Sequence, residues 1–94
     1  MAVTMVLDAP DMTRQQYEEI SKRTYFPPGK LPRGLIHHIA TEVDGGLCIV
    51  EVWDSEADLW AYFEDQLTPL SKEAGVELGA PKTATVVRMR SRTW

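Results

Sequence analysis

The sequence predicts an α+β fold of the ferredoxin-like type, with element order βαββαβ and an antiparallel four-stranded sheet carrying both helices on one face. Three observations carry this expectation. Four short runs are rich in Val, Ile and Thr, two segments repeat apolar residues at helical spacing behind a capping residue, and an Asp-Gly pair separates the second run from the third.

Residues 2 to 8 make the first strand, which ends at the proline-marked turn Ala9-Pro10. Thr13 and Gln16 then form a capping-box pair, and Tyr17, Ile20 and Thr24 recur at helical spacing, so a helix is expected over residues 14 to 24. From Phe26 to Gly34 the chain holds three prolines and two glycines, which predicts a long exposed connection of the kind that often borders a site. Residues 35 to 41 and 47 to 53 are the second and third strands, joined through Val43-Asp44-Gly45-Gly46 as a hairpin. Ser55 caps the second helix with Asp58 as its acidic partner, and Leu59, Trp60, Phe63, Leu67 and Leu70 form its apolar stripe. Pro69 bends or restarts that helix and Gly75 stops it. Thr83 to Arg90 supplies the fourth strand.

Ninety-four residues suit one compact domain over residues 1–94. Hydrophobic residues at 44% and charged residues at 26% lie in the range of folded domains, away from the composition of disordered chains. Ten basic residues against fourteen acidic ones give a net charge of −4, the wrong sign for a surface that neutralises phosphates, so neither nucleic acid nor anionic membrane is an expected partner. A lone cysteine, Cys48, makes neither an internal disulfide nor a Cys-rich zinc site, which fits a reducing compartment. With no secretory leader pattern and no long apolar run, a cytoplasmic location is expected. No Gly-x-Gly-x-x-Gly or phosphate-loop motif is present, so no dinucleotide cofactor is expected.

Candidate chemistry comes from the hairpin. A two-residue turn at Asp44-Gly45 sets Val43 opposite Gly46, His38 opposite Glu51 and Ile36 opposite Trp53. His38, Glu51 and Trp53 then share one face, while His37 lies with Val50 and Val52 on the other. A turn at Gly45-Gly46 keeps the same three together, whereas a three-residue loop exchanges His37 for His38. A histidine beside a carboxylate is a candidate general base, and the same pair also serves as an ordinary satisfied polar contact in a half-buried sheet. Adjacent His37 and His38 point to opposite faces, so no metal site is expected. Trp53, Tyr62, Tyr17 and Phe63 are candidate walls of an aromatic pocket, with core packing as the competing role for Phe63 and Trp60. Ser55 reads as a helix cap, Cys48 as a small apolar residue, and Arg88, Arg90 and Arg92 as a basic strand end.

Gly34-Leu35-Ile36-His37-His38, the Asp44-Gly45-Gly46 turn, Glu51-Val52-Trp53-Asp54-Ser55 with Leu59, and Leu67-Thr68-Pro69-Leu70 together resemble the dimeric α/β-barrel superfamily, in particular its antibiotic-biosynthesis-monooxygenase-like branch. The resemblance runs from the first strand to Gly75. It implies a homodimer closed through the sheets and a small apolar pocket for aromatic or polyketide-like molecules between sheet and helices. Monooxygenases of that branch commonly carry a histidine nine residues after the tryptophan, where this chain has Tyr62. Apolar residues on both faces of strands two and three also favour a second copy of the chain as the cover for the open sheet face. Two functions follow as expectations. One is a small homodimeric enzyme performing cofactor-independent oxygenation or a proton-transfer step such as isomerisation, cyclisation or decarboxylation; the other is a non-catalytic dimeric module that binds a small ligand or scaffolds another enzyme.

Overall fold

The computed structural model describes residues 1–23, 31–76 and 78–90. Strand β1 spans Val3–Ala9 and helix α1 Arg14–Arg23, followed by β2 (Leu35–Val43) and β3 (Gly46–Trp53). Helix α2 covers Glu56–Tyr62 and continues through a π-helical turn, Phe63–Leu67, into α3 (Thr68–Glu73), after which β4 spans Lys82–Thr85. The strands form one sheet in the order β2-β3-β1-β4, all neighbours antiparallel, which is the ferredoxin-like arrangement. No described helix is long and apolar enough to cross a membrane.

The helix ends follow their capping chemistry. The Gln16 backbone N–H donates to Thr13 Oγ1 at 3.1 Å while Thr13 N–H donates to Gln16 Oε1 at 2.9 Å, a closed capping box. Ser55 Oγ likewise accepts from Asp58 N–H at 3.2 Å and donates to the Asp58 carboxylate at 3.0 Å. Pro69 has no N–H and its ring would crowd the carbonyl one turn back, so the chain widens by one residue before it: Thr68 N–H reaches Phe63 O. At the far end Gly75, at φ 73°, lets Val76 N–H bond to Ser71 O and its own N–H to Lys72 O.

One expected boundary and one expected cross-strand pairing move. The fourth strand, expected through Arg90, ends at Thr85, because its partner β1 begins at Val3 and the last rung is Val86 N–H to Ala2 O at 2.9 Å. Beyond that rung Val87, Arg88 and Arg90 are exposed, past the end of the strand they would pair with. In β2 a bulge intervenes between Leu35 and His37, so Leu35 rather than Ile36 faces Trp53. Thr24, residues 26–30 of the expected connection, and Arg92 lie outside the described residues.

One face of the sheet is dry. Val3, Met5 and Leu7 of β1, Ile49 and Trp53 of β3, and Leu59 and Phe63 from the second helical segment form one buried cluster; Ala9, Met12, Ile20, Leu47 and Val76 form a second. The alternation leaves Val6, Ile39, Val50 and Val52 on the opposite face, with Ile39 still 56% exposed. A Cβ at Gly46 would overlap the Pro10 backbone, so the close approach of the turn that follows β1 requires glycine there.

The hairpin turn has positive φ at both central residues, 49° at Asp44 and 83° at Gly45, the two-residue geometry that matches strand twist. Space around Gly45 is open, with no atom within 4 Å of where a Cβ would stand, so only its backbone conformation demands glycine. Gly45→Ala is therefore expected to lower stability by about 1–2 kcal/mol and Gly45→Asn by less, measured by urea denaturation; equal stability of all three proteins would contradict the turn.

Candidate functional site

The two-residue turn counts outward to the expected cross-strand pair, His38 opposite Glu51. Both side chains lie on the dry face, and their contact is close: His38 Nδ1 is 2.6 Å from Glu51 Oε2. Glu51 is 5% exposed, and its second oxygen accepts from the indole N–H of Trp53 at 3.0 Å. A buried carboxylate held by two donors keeps its orientation, and because an ionised carboxylate only accepts, it selects the His38 tautomer with hydrogen on Nδ1. The opposite nitrogen, Nε2, then carries the lone pair. It is met by the Tyr17 hydroxyl, 2.7 Å away, reaching across from α1.

This chain of groups borders a cavity of about 250 Å³ between α1, the sheet and the π-helical turn. Its walls are mostly apolar, including Met5, Leu7, Ile20, Leu35, Ile49 and Leu67, and Tyr17, His38, Glu51 and Tyr62 contribute polar groups. Leu31 and Pro32, from the end of the expected connection, form part of the wall. The cavity is partly open to solvent. The space suits water or a ligand rather than an empty packing fault.

The aromatic candidates divide. Tyr17 and Tyr62 line the cavity; Trp53 and Phe63 are not among its lining residues. Trp53 is fully buried behind Tyr62, their ring centroids 5.6 Å apart, because its strand position points it beneath the second helical segment. Phe63 packs edge-on against Trp60 at 6.0 Å, in the core. Trp53 thus acts on the cavity only through Glu51 and Tyr62. Met12, Leu35, Leu67 and Leu78 are lining residues that carried no chemical signal in the sequence.

No protein-family model and no curated protein sequence matches the chain. Solved structures do. A protein from Chloroflexus aurantiacus J-10-fl, described provisionally as an antibiotic biosynthesis monooxygenase, superposes with a TM-score of 0.67 at 12% identity, covering 97% of this chain and 98% of its own. The structural-genomics protein YjcS superposes with a TM-score of 0.55 at 13% identity, over 90% of this chain and 95% of its own. The chain shares their fold. At such identities the likeness carries the ferredoxin-like architecture alone, since one fold hosts many chemistries.

Other candidates carry less. Cys48 sits half-buried on the opposite sheet face, where desolvation and the neighbouring Asp8 carboxylate push its thiol up, away from the reactive thiolate. Among the described residues no group of three His, Cys, Asp or Glu side chains is placed to hold a metal ion.

The Trp53–Glu51 bond gives a measurable coupling. Trp53→Phe removes the indole donor and leaves a buried carboxylate oxygen short of a partner, so it is expected to destabilise by about 1–3 kcal/mol beyond its packing loss. In a double-mutant cycle with Glu51→Gln, followed by urea denaturation, the two changes should be non-additive by at least ~0.5 kcal/mol. Strict additivity would mean that the bond contributes nothing to stability.

Proposed function

We propose that this chain is a small enzyme that binds a compact, uncharged aromatic or polyketide-like molecule in the cavity and moves a proton on it, with His38 and Glu51 as the acid–base pair. The observation that carries this reading is a histidine oriented by a buried carboxylate at the wall of an otherwise apolar cavity. A pair held this way stabilises the imidazolium that forms when a proton arrives, which is the electrostatic requirement of a general base. The cavity walls favour flat apolar ligands, and the buried Glu51 carboxylate disfavours anionic ones. Proton transfer needs no redox partner and an uncharged ligand has no carboxylate to lose, so isomerisation or cyclisation fits this pair more directly than oxygenation or decarboxylation, and no organic cofactor or metal enters the scheme.

Ligand class is testable by thermal shift. Neutral bicyclic ketones and naphthols at ten times their Kd should stabilise the protein by about 1.4 kcal/mol, while their carboxylated counterparts should not. Preferential stabilisation by the carboxylates would overturn the assignment of ligand class. For the reaction, His38→Gln is expected to lower turnover by ~10² to 10⁴ with the fold retained. His37→Gln, whose side chain lies on the other face with Val50 and Val52, should leave turnover nearly unchanged. Equal losses in both variants would point to general damage to β2.

The same proposal includes a homodimer. Val6, Ile39, Val50 and Val52 form an apolar strip on the uncovered sheet face, and a second copy of the chain buries it symmetrically. Sedimentation at micromolar concentration should give twice the 10.6 kDa chain mass, and Val50→Glu should give the single-chain mass. A wild-type protein sedimenting at 10.6 kDa would overturn the dimer.

A further inference from the structure

We infer that the group meeting the substrate is the Tyr17 hydroxyl, with Glu51 and His38 acting behind it as a relay; this assignment rests on the proton-transfer reading above. His38 has two ring nitrogens and both are engaged. Nδ1 is held by Glu51 at 2.6 Å and Nε2 by the Tyr17 hydroxyl at 2.7 Å. With hydrogen fixed on Nδ1, the Tyr17 O–H donates to Nε2, and the imidazole has no lone pair left for a ligand. The phenol oxygen does: a hydroxyl that has given its hydrogen still accepts. The rings of Tyr17 and His38 lie 10° from parallel with centroids 6.1 Å apart, so they meet edge to edge through this bond rather than face to face.

Position agrees with this order of groups. Tyr17 and His38 both line the cavity, on elements that meet there: α1 supplies the phenol and β2 the imidazole. The relay then runs from the solvent-shielded carboxylate outward, Glu51 to His38 to Tyr17, in the manner of a nucleophile activated by an oriented base.

The step balances without a further reagent. The Tyr17 proton passes to Nε2, giving an imidazolium paired with the Glu51 carboxylate, and the phenoxide oxygen takes a hydrogen from the carbon next to a ligand carbonyl. The C–H bond breaks, its electron pair stays in the ligand as an enolate, and the O–H bond of Tyr17 forms again. Tyr17 then delivers a hydrogen to the enolate as the imidazolium returns its proton to the Tyr17 oxygen; delivery to another carbon isomerises the ligand, and delivery to the same carbon after Tyr17 has traded its hydrogen with water exchanges the α-hydrogen. The substrate class is therefore an uncharged enolisable ketone.

The test uses 2-tetralone in D2O, with loss of its α-hydrogen signals followed by proton NMR and its binding by titration. Wild-type protein should accelerate exchange, and Tyr17→Phe should slow it by ~10² to 10⁴ while changing the binding constant less than about threefold. Placing 3-fluorotyrosine at position 17 should move the pH profile of exchange towards lower pH, a change that a purely structural tyrosine would not produce. Nitrogen-15 spectra of His38 should show Nδ1 protonated in the free protein, and Tyr17→Phe should shift the Nε2 resonance. Full exchange activity in Tyr17→Phe with loss in His38→Gln would overturn this assignment and leave His38 as the direct base. Wild-type protein that binds 2-tetralone without accelerating exchange would overturn the proton-transfer reading itself, and this assignment with it.

Discussion

A carboxylate buried against the apolar face of a sheet is the constraint around which the rest of this molecule is arranged. Glu51 is 5% exposed, and an ionised group there is tolerated only if donors replace the water it has lost. Trp53, two residues along the same strand and on the same face, supplies one; His38, directly across the hairpin, supplies the other. Both depend on register. A slip of one residue between β2 and β3 would turn His38 away and leave Glu51 facing the wrong side chain, so the positive-φ pair Asp44 and Gly45 at the turn fixes the site as much as it fixes the hairpin.

The cavity follows from how the core is divided. Two apolar clusters cover the dry face, and Tyr17, Leu67 and Leu78 pack against both. Between them the cavity lies open along α1 and the π-helical turn. That turn exists because Pro69 withholds an N–H and the helix widens ahead of it. Tyr62 immediately before the widened turn and Leu67 at its end both line the cavity. A backbone irregularity in the helix therefore lies beside the same space as the regular strand pair that carries Glu51.

Local chemistry made much of this legible beforehand. The Thr13–Gln16 capping box, the Ser55 cap, the Asp44-Gly45 turn, the Gly75 stop and the His38–Glu51 pairing depend on residues close in sequence or on counting outward from a defined turn, so they could be read from the order of residues. The boundary of β4 could not, because Thr and Val content marks strand preference while the strand's length is set by where β1 begins. The bulge beside Leu35 was equally hidden. It is one extra residue in a run of similar apolar side chains, and only the pairing with Trp53 shows which of them turns inward.

Residue order alone is enough for the succession of elements, the helix caps and the site of the hairpin turn, and once the turn holds two residues alternation puts His38, Glu51 and Trp53 on one face. What that face borders depends on how the elements dock. Trp53 and Phe63 went into the core while Tyr17 and Tyr62 reached the cavity, and the Tyr17 hydroxyl came to rest on His38, 21 residues away. That contact requires one rotation of α1 against the sheet, and the rotation is set by the summed packing of Met12, Ile20 and their neighbours rather than by any spacing in the chain.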